Sequence, residues 1–153
     1  MSDLDALYRE LILDHSKHPQ HFGLVDEGDA PAAAGRFGTS YQKNPVCGDE
    51  ITLRARVDGE TIADISWEGR GCSISQASAS MLADLVADEG LSRAEAVTLV
   101  EGFREALRSR GQIELDEDVY GDAAALSGVA KFSARVKCAM LAWVALEDAI
   151  AKA

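Results

Sequence analysis

The chain has 153 residues, 47% of them hydrophobic, with 26 acidic against 15 basic side chains and a formal net charge of −11. That length and apolar content suit one compact domain, residues 1–153, whose core needs neither metal nor disulfide merely to fold. The charge argues against a nucleic-acid surface, which needs a cationic footprint, and favours a protein partner. No uninterrupted apolar run approaches the ~18 residues of a membrane span, and the best stretch, 139–151, is broken by Glu147 and Asp148. The three cysteines are an odd number and widely spaced. The first residues lack the basic and apolar regions of a signal peptide, so the expectation is a cytoplasmic protein with reduced thiols and no membrane partner.

Residues 4–17 place Leu4, Leu7, Tyr8, Leu11 and Ile12 on one helical face, and Pro19 ends the pattern. His15, His18 and His21 sit three apart, but Pro19 interrupts the helix before His21 can join the face, so the trio reads as a polar helix end. Residues 25–39 are rich in Gly, Ala, Asp and Pro without a period and read as a long loop, mobile unless a partner orders it. Next, Cys47 and Asp49 set a thiol and a carboxylate two residues apart on a turn bracketed by Pro45 and Gly48. Ile51, Leu53, Ala55 and Val57 then alternate with polar residues, Asp58-Gly59 supplies a hairpin turn, and Ala63, Ile65 and Trp67 continue the buried face. The hairpin is antiparallel, so Cys47 before it and Cys72 after it return to the same end of the sheet.

Cys72 stands at the start of a helix over 73–87, with Ile74, Ala77, Met81 and Leu85 inward, and a helix N-terminus favours its thiolate. Ser92 and Glu95 form a capping box for a purely structural helix over 93–108, with Ala96, Leu99, Val100, Phe103 and Leu107 inward. Glu114, Asp116, Glu117, Asp118 and Asp122 lack the ligand register of a calcium loop and read as a solvated acidic face. After a short helical segment at 123–129, a last helix spans 136–152. It carries a bulky stripe of Ala139, Trp143, Leu146 and Ile150 beside a small one of Cys138, Ala142, Ala145 and Ala149. Lys131, Arg135 and Lys137 precede Cys138 with no acid among them, and nearby cations favour thiolate. Charge alone leaves a plain basic surface patch equally open.

Zinc takes thiolate, imidazole and carboxylate ligands in a tetrahedron, usually from close pairs. The close pair here is Cys47 with Asp49; Cys72 follows after 24 intervening residues and Cys138 after another 65, with no Cys-x-x-Cys knuckle. Spacing therefore leaves open three separate buried thiols. Cys–His nucleophilic catalysis has little support, since no histidine neighbours a cysteine in sequence.

Three runs together carry a family resemblance: Asn44-Pro45-Val46-Cys47-Gly48-Asp49, the segment from Gly69-Arg70-Gly71-Cys72-Ser73 to Ser80-Met81, and Lys131-Phe132-Ser133-Ala134-Arg135-Val136-Lys137-Cys138-Ala139. They resemble the SufU proteins, zinc-bound relatives of the IscU iron–sulfur scaffold in the NifU-like superfamily. Leu7-Tyr8-Arg9 and Asp14-His15 extend the likeness over nearly the whole chain.

The resemblance implies an α+β fold, a small antiparallel β-sheet packed against several α-helices, and Zn²⁺ bound by Cys47, Asp49, Cys72 and Cys138. It implies a sulfurtransferase that accepts persulfide sulfur from a SufS-type cysteine desulfurase and passes it toward iron–sulfur cluster assembly proteins. In such proteins a histidine of the desulfurase takes over a vacated zinc position. Cys47, on its turn, would then be the ligand that leaves and attacks the persulfide, and Arg135 would steer the partner or stabilise the anionic site. The competing classes are a scaffold assembling a labile [2Fe–2S] cluster on the same ligands and a structural zinc adaptor. Lys137 stands where IscU-type proteins carry His, the segment around Ser133 lacks their Leu-Pro-Pro-Val-Lys motif, and residues 89–111 are extra. These three points favour the SufU branch, whereas Ser133 departs from the proline expected there.

Overall fold

The alternation and caps read from the sequence become an α+β fold in a computed structural model that describes residues 3–25, 35–45 and 48–153. Cys47 and residues 26–34 of the expected loop lie outside those residues. In chain order the elements are α1 (Asp3–Lys17), β1 (Arg36–Lys43), β2 (Glu50–Asp58), β3 (Thr61–Arg70), α2 (Ser73–Glu89), α3 (Arg93–Arg108), α4 (Glu117–Tyr120), a 3-10 helix (Gly121–Lys131) and α5 (Ser133–Lys152). Among the described residues the strands form one antiparallel sheet in the order β1-β2-β3. No helix of the described residues is long and apolar enough to cross a membrane.

β1 corrects the reading of 25–39 as loop, since Arg36 to Thr39 pair with β2. Its inward residues are Gly38 and Ser40, both buried, while Tyr41 is exposed, so no apolar alternation marks it. The small inward face is what α5 requires: a Cβ on Gly38 would collide with the Ala149 carbonyl. The small stripe of α5 thus seats on β1 by close backbone approach.

The expected hairpin holds with one shift. Arg56 pairs with Asp64 but Val57 pairs with Ile62, so Ala63 is the extra residue of a bulge. Ile62 turns inward at 3% exposure and Ala63 outward, the reverse of a straight alternation, while Ile65 and Trp67 keep the buried face. Residues 20–23 cover the free edge of β3: Gly23 N donates to the Trp67 carbonyl, Trp67 N to the His21 carbonyl, and Trp67 Nε1 to the Gln20 carbonyl.

α2 is buried on most sides rather than along one stripe, with Ser75, Ser78, Ser80, Leu82 and Val86 joining Ala77 and Met81. It is the central helix, packed by α1, α5 and β3, and its serines spend their hydroxyls on neighbours. Ser78 donates to the Ala139 carbonyl at 2.6 Å and accepts from Trp143 Nε1 at 2.9 Å, which locks α2 to α5. α3 starts on the expected Ser92/Glu95 capping box. It buries Phe103 flat against Trp143 at 3.8 Å between ring centroids, worth about 0.5–1.5 kcal/mol beyond area burial. α5 begins three residues earlier than its apolar stripe suggests, so Arg135 and Lys137 lie in its opening turns.

Candidate metal centre

β2 and β3 pair Glu50 with Arg70, which brings Asp49, one residue before Glu50, and Cys72, two residues after Arg70, to one end of the sheet. Alternation then separates the two adjacent acids. Glu50 engages Tyr41 and Arg70 at the surface, and their hydrogen bonds hold its carboxyl below the usual carboxylate range. Asp49 turns inward and is 4% exposed. Its Oδ1 accepts the Cys72 backbone N–H at 3.2 Å, and its Oδ2 lies 3.5 Å from Cys72 Sγ. Asn44 N donates to the Asp49 carbonyl and Gly48 N to the Asn44 carbonyl, both at 2.8 Å, pinning the chain on either side of Cys47.

Cys72 occupies the N-cap position of α2 in extended conformation, where the helix dipole favours an anion. Ser75 Oγ donates to the Cys72 carbonyl at 3.0 Å and sits 4.0 Å from its sulfur. Gly71 is required by close approach, since a Cβ there would come within 2.5 Å of both Asp49 Oδ1 and Ser75 Oγ. Cys138 reaches the same point from the second turn of α5, almost fully buried, held in register by the Ser78 bond to Ala139.

The carboxylate and the two sulfurs therefore converge, with Asp49, Cys72 and Cys138 donor atoms all within 4.8 Å of one another. A tetrahedral zinc with bonds near 2.3 Å separates its ligands by about 3.8 Å, so the set fits that ion. Its charge fits as well. A thiolate and a carboxylate about 4 Å apart repel by about 4 kcal/mol at an effective dielectric of 20, which a shared divalent cation removes.

Of the sequence-derived site residues, Asp49, Cys72 and Cys138 are brought together, and Cys47 lies outside the described residues. Arg135 is exposed in the first turn of α5. It lines an open groove of about 800 Å³ that also contains Cys72, Arg9 and Lys131 over an apolar wall including Ile12, Leu13 and Phe132.

His15 corrects the polar-helix-end reading. It is buried, with Nδ1 2.7 Å from Ser80 Oγ and Nε2 3.0 Å from Asp122 Oδ2, while Asp122 itself stays exposed as part of the solvated acidic face. His18 stays exposed and His21 faces Asp84 at 3.6 Å. Sequence reasoning passed over Ser75 and Gly71; the Gly-x-Gly-Cys run was the available signal for Gly71.

Residues 7–139 match the family described as the NifU-like N terminal domain. The chain is 38% identical over 152 residues to the zinc-dependent sulfurtransferase SufU of Bacillus subtilis, covering 99% of this chain and 94% of that one. It is 41% identical over 150 residues to the iron–sulfur cluster assembly scaffold protein IscU of Streptococcus pyogenes, covering 98% and 86%. A crystal structure from Fervidobacterium islandicum, described as a scaffold for iron–sulfur cluster assembly in the SUF system, superposes with a TM-score of 0.78 at 32% identity over 92% of this chain and 94% of that one.

Proposed function

The chain belongs to the NifU-like N-terminal domain family of iron–sulfur cluster assembly proteins, and from that premise we propose that it is a zinc-dependent sulfurtransferase accepting sulfur from a cysteine desulfurase. The observation that carries this reading is the convergence of the Asp49, Cys72 and Cys138 donors within 4.8 Å. Cys47 is the fourth ligand in this proposal. When bound, zinc supplies charge that keeps the thiols ionised at neutral pH while shielding them from stray electrophiles.

The residues divide the remaining work. Asp49 is anchored by the Cys72 N–H, and Cys72 and Cys138 ride on helices, so these three hold position. Cys47, two residues before Asp49 and set between Pro45 and Gly48 in the sequence, is the nucleophile in this proposal. Its thiolate attacks the outer sulfur of a cysteine persulfide on the desulfurase. A new S–S bond forms at Cys47, the old S–S bond breaks, and the desulfurase cysteine leaves as a thiolate. Arg135, over the groove that opens at Cys72, orients the incoming partner by charge.

Turnover of a cysteine desulfurase, measured with and without this protein alongside metal content and a visible spectrum, tests the reading. A colourless zinc protein that accelerates turnover is expected. A brown protein that leaves turnover unchanged would assign it instead to cluster scaffolding, the role named for the Streptococcus relative. Cys47→Ala should fold, yet accept no sulfur; full transfer by that variant would remove Cys47 from the mechanism. Asp49→Ala should loosen zinc and slow transfer where Glu50→Ala does neither, and unchanged zinc in the Asp49 variant would deny it a ligand's role.

A further inference from the structure

A second groove, of about 480 Å³, opens between the end of β1, the C-terminal half of α3 and the first turns of α5. Its lining holds Lys43, Arg104, Arg108, Arg110 and Lys137 and no carboxylate, in a chain where acids outnumber bases 26 to 15. Arg104 is matched by Glu147 at 3.0 Å; the other four cations are exposed. Like charges gathered on one rim repel one another, so the rim is suited to an anionic partner that offsets that repulsion. α5 starts in the same groove, and Phe132 at its N-cap offers no side-chain acceptor, so the positive end of the helix adds to the field.

Arg110 follows the C-terminal end of α3 with a left-handed backbone, φ 58°, where glycine is the usual residue. Beneath the cations the floor is apolar, formed by Leu107, Met140, Leu141 and Val144. Charge above an apolar floor selects for a ligand with both features.

We propose that this groove docks a short acidic segment of a protein partner, its carboxylates on Lys43, Arg108, Arg110 and Lys137 and its apolar side chains on the floor. Nucleic acid is disfavoured, because the chain as a whole carries a net charge of −11 and the floor carries no aromatic platform for bases. The groove neighbours the metal centre: Asn44, in its lining, donates its backbone N–H to the Asp49 carbonyl at 2.8 Å. A partner tethered here presents its reacting part to the centre at raised effective concentration. The docking itself needs no sulfur chemistry and goes beyond the transfer function.

Fluorescence anisotropy with the zinc-loaded full chain tests this. The probes are a labelled Glu/Leu peptide with one apolar helical face, the same peptide with Ser for Leu, and an oligothymidylate of equal length. The Glu/Leu peptide is expected to bind, the Ser peptide several-fold more weakly, and the oligonucleotide not to compete. Charge reversal by Lys43→Glu with Arg110→Glu should weaken the Glu/Leu peptide by at least ~10-fold with zinc content unchanged. Unchanged zinc separates loss of the groove from loss of the centre. Arg110→Gly relieves the left-handed backbone, so it should raise the thermal midpoint while weakening the peptide. Failure of the Glu/Leu peptide to bind, binding by the charge-reversed variant as tight as by the unmodified chain, or effective competition by the oligonucleotide overturns the proposal.

Discussion

Two polar clusters, each assembled from three separate segments around α2, differ in how far their atoms satisfy one another. In the first, His15 from α1, Ser80 from α2 and Asp122 from the 3-10 helix form a closed chain. His15 Nε2–H donates to Asp122, Ser80 donates to His15 Nδ1 at 2.7 Å, and Ser80 Oγ accepts the Gln20 N–H at 2.8 Å. That tautomer is assigned from the network it completes. The chemistry types match a hydrolase triad, yet Ser80 is fully buried and both sides of its hydroxyl are engaged. In the second, the donor atoms of Asp49, Cys72 and Cys138 all lie within 4.8 Å of one another, joined only by long sulfur contacts such as Cys72 Sγ to Asp49 Oδ2 at 3.5 Å, at the spacing of ligands around one ion. A closed set of short hydrogen bonds ties elements together; an open set of sulfur and carboxylate donors gathered around one point is poised for a cation.

The sharpest way to break that contrast is to remove a donor from the open cluster. Cys72→Ser should lose stoichiometric zinc by elemental analysis while circular dichroism shows the fold retained, because the core is complete without the site. Full zinc occupancy in that variant would show that the cluster is not a metal centre. Removing the centre of the closed cluster should do the opposite. His15→Ala deprives the buried Ser80 hydroxyl of its acceptor and leaves a cavity between α1 and α2, costing about 2–3 kcal/mol in urea unfolding, with zinc unchanged. If zinc falls in step with stability, the two clusters are one unit and the distinction fails.

A smaller effect is expected where the open cluster touches the backbone. Gly71→Ala sets a methyl against Asp49 Oδ1 and Ser75 Oγ, so the carboxylate must move. Zinc affinity, measured by competition with a chromophoric chelator, should fall about 10-fold. An unchanged affinity would mean that Asp49 adjusts freely and its position is not what sets binding.

What the sequence revealed follows from how each element is stabilised. The β2–β3 hairpin and α3 were legible because local signals determine them: alternation, an Asp-Gly turn and a reciprocal cap. The hairpin in turn placed Cys72 beside Asp49, since antiparallel pairing is simple geometry. β1 was hidden because its inward residues are Gly38 and Ser40, chosen for the close approach of α5 and not for hydrophobicity. Ala63 was misplaced because a bulge shifts the period by one without a marker in the residues. The His15 network was illegible for a related reason. Its members are 65 and 107 positions apart, and nothing local separates a histidine that will meet a buried serine from one facing water. Cys138 joins the centre through the packing of α5 on α2, so only the family resemblance linked it to Cys72.

Ser75 tests which kind of cluster a borderline group belongs to. Its hydroxyl donates to the Cys72 carbonyl at 3.0 Å, a bond of the closed kind, yet its oxygen lies 4.0 Å from the Cys72 sulfur, within reach of the open set. Ser75→Ala removes one partly buried hydrogen bond, which should lower stability by no more than about 1 kcal/mol. If the hydroxyl also supports the Cys72 thiolate, zinc affinity should drop several-fold, at or below the lower end of the roughly 10–100-fold effects of groups that orient metal ligands. Ser75→Thr keeps the hydroxyl and should restore most of the affinity, whatever its packing costs in stability. Loss of affinity in the alanine variant that threonine rescues assigns Ser75 to the metal centre. Loss of stability alone assigns it to the cap of α2, and the open cluster then ends at its own donors.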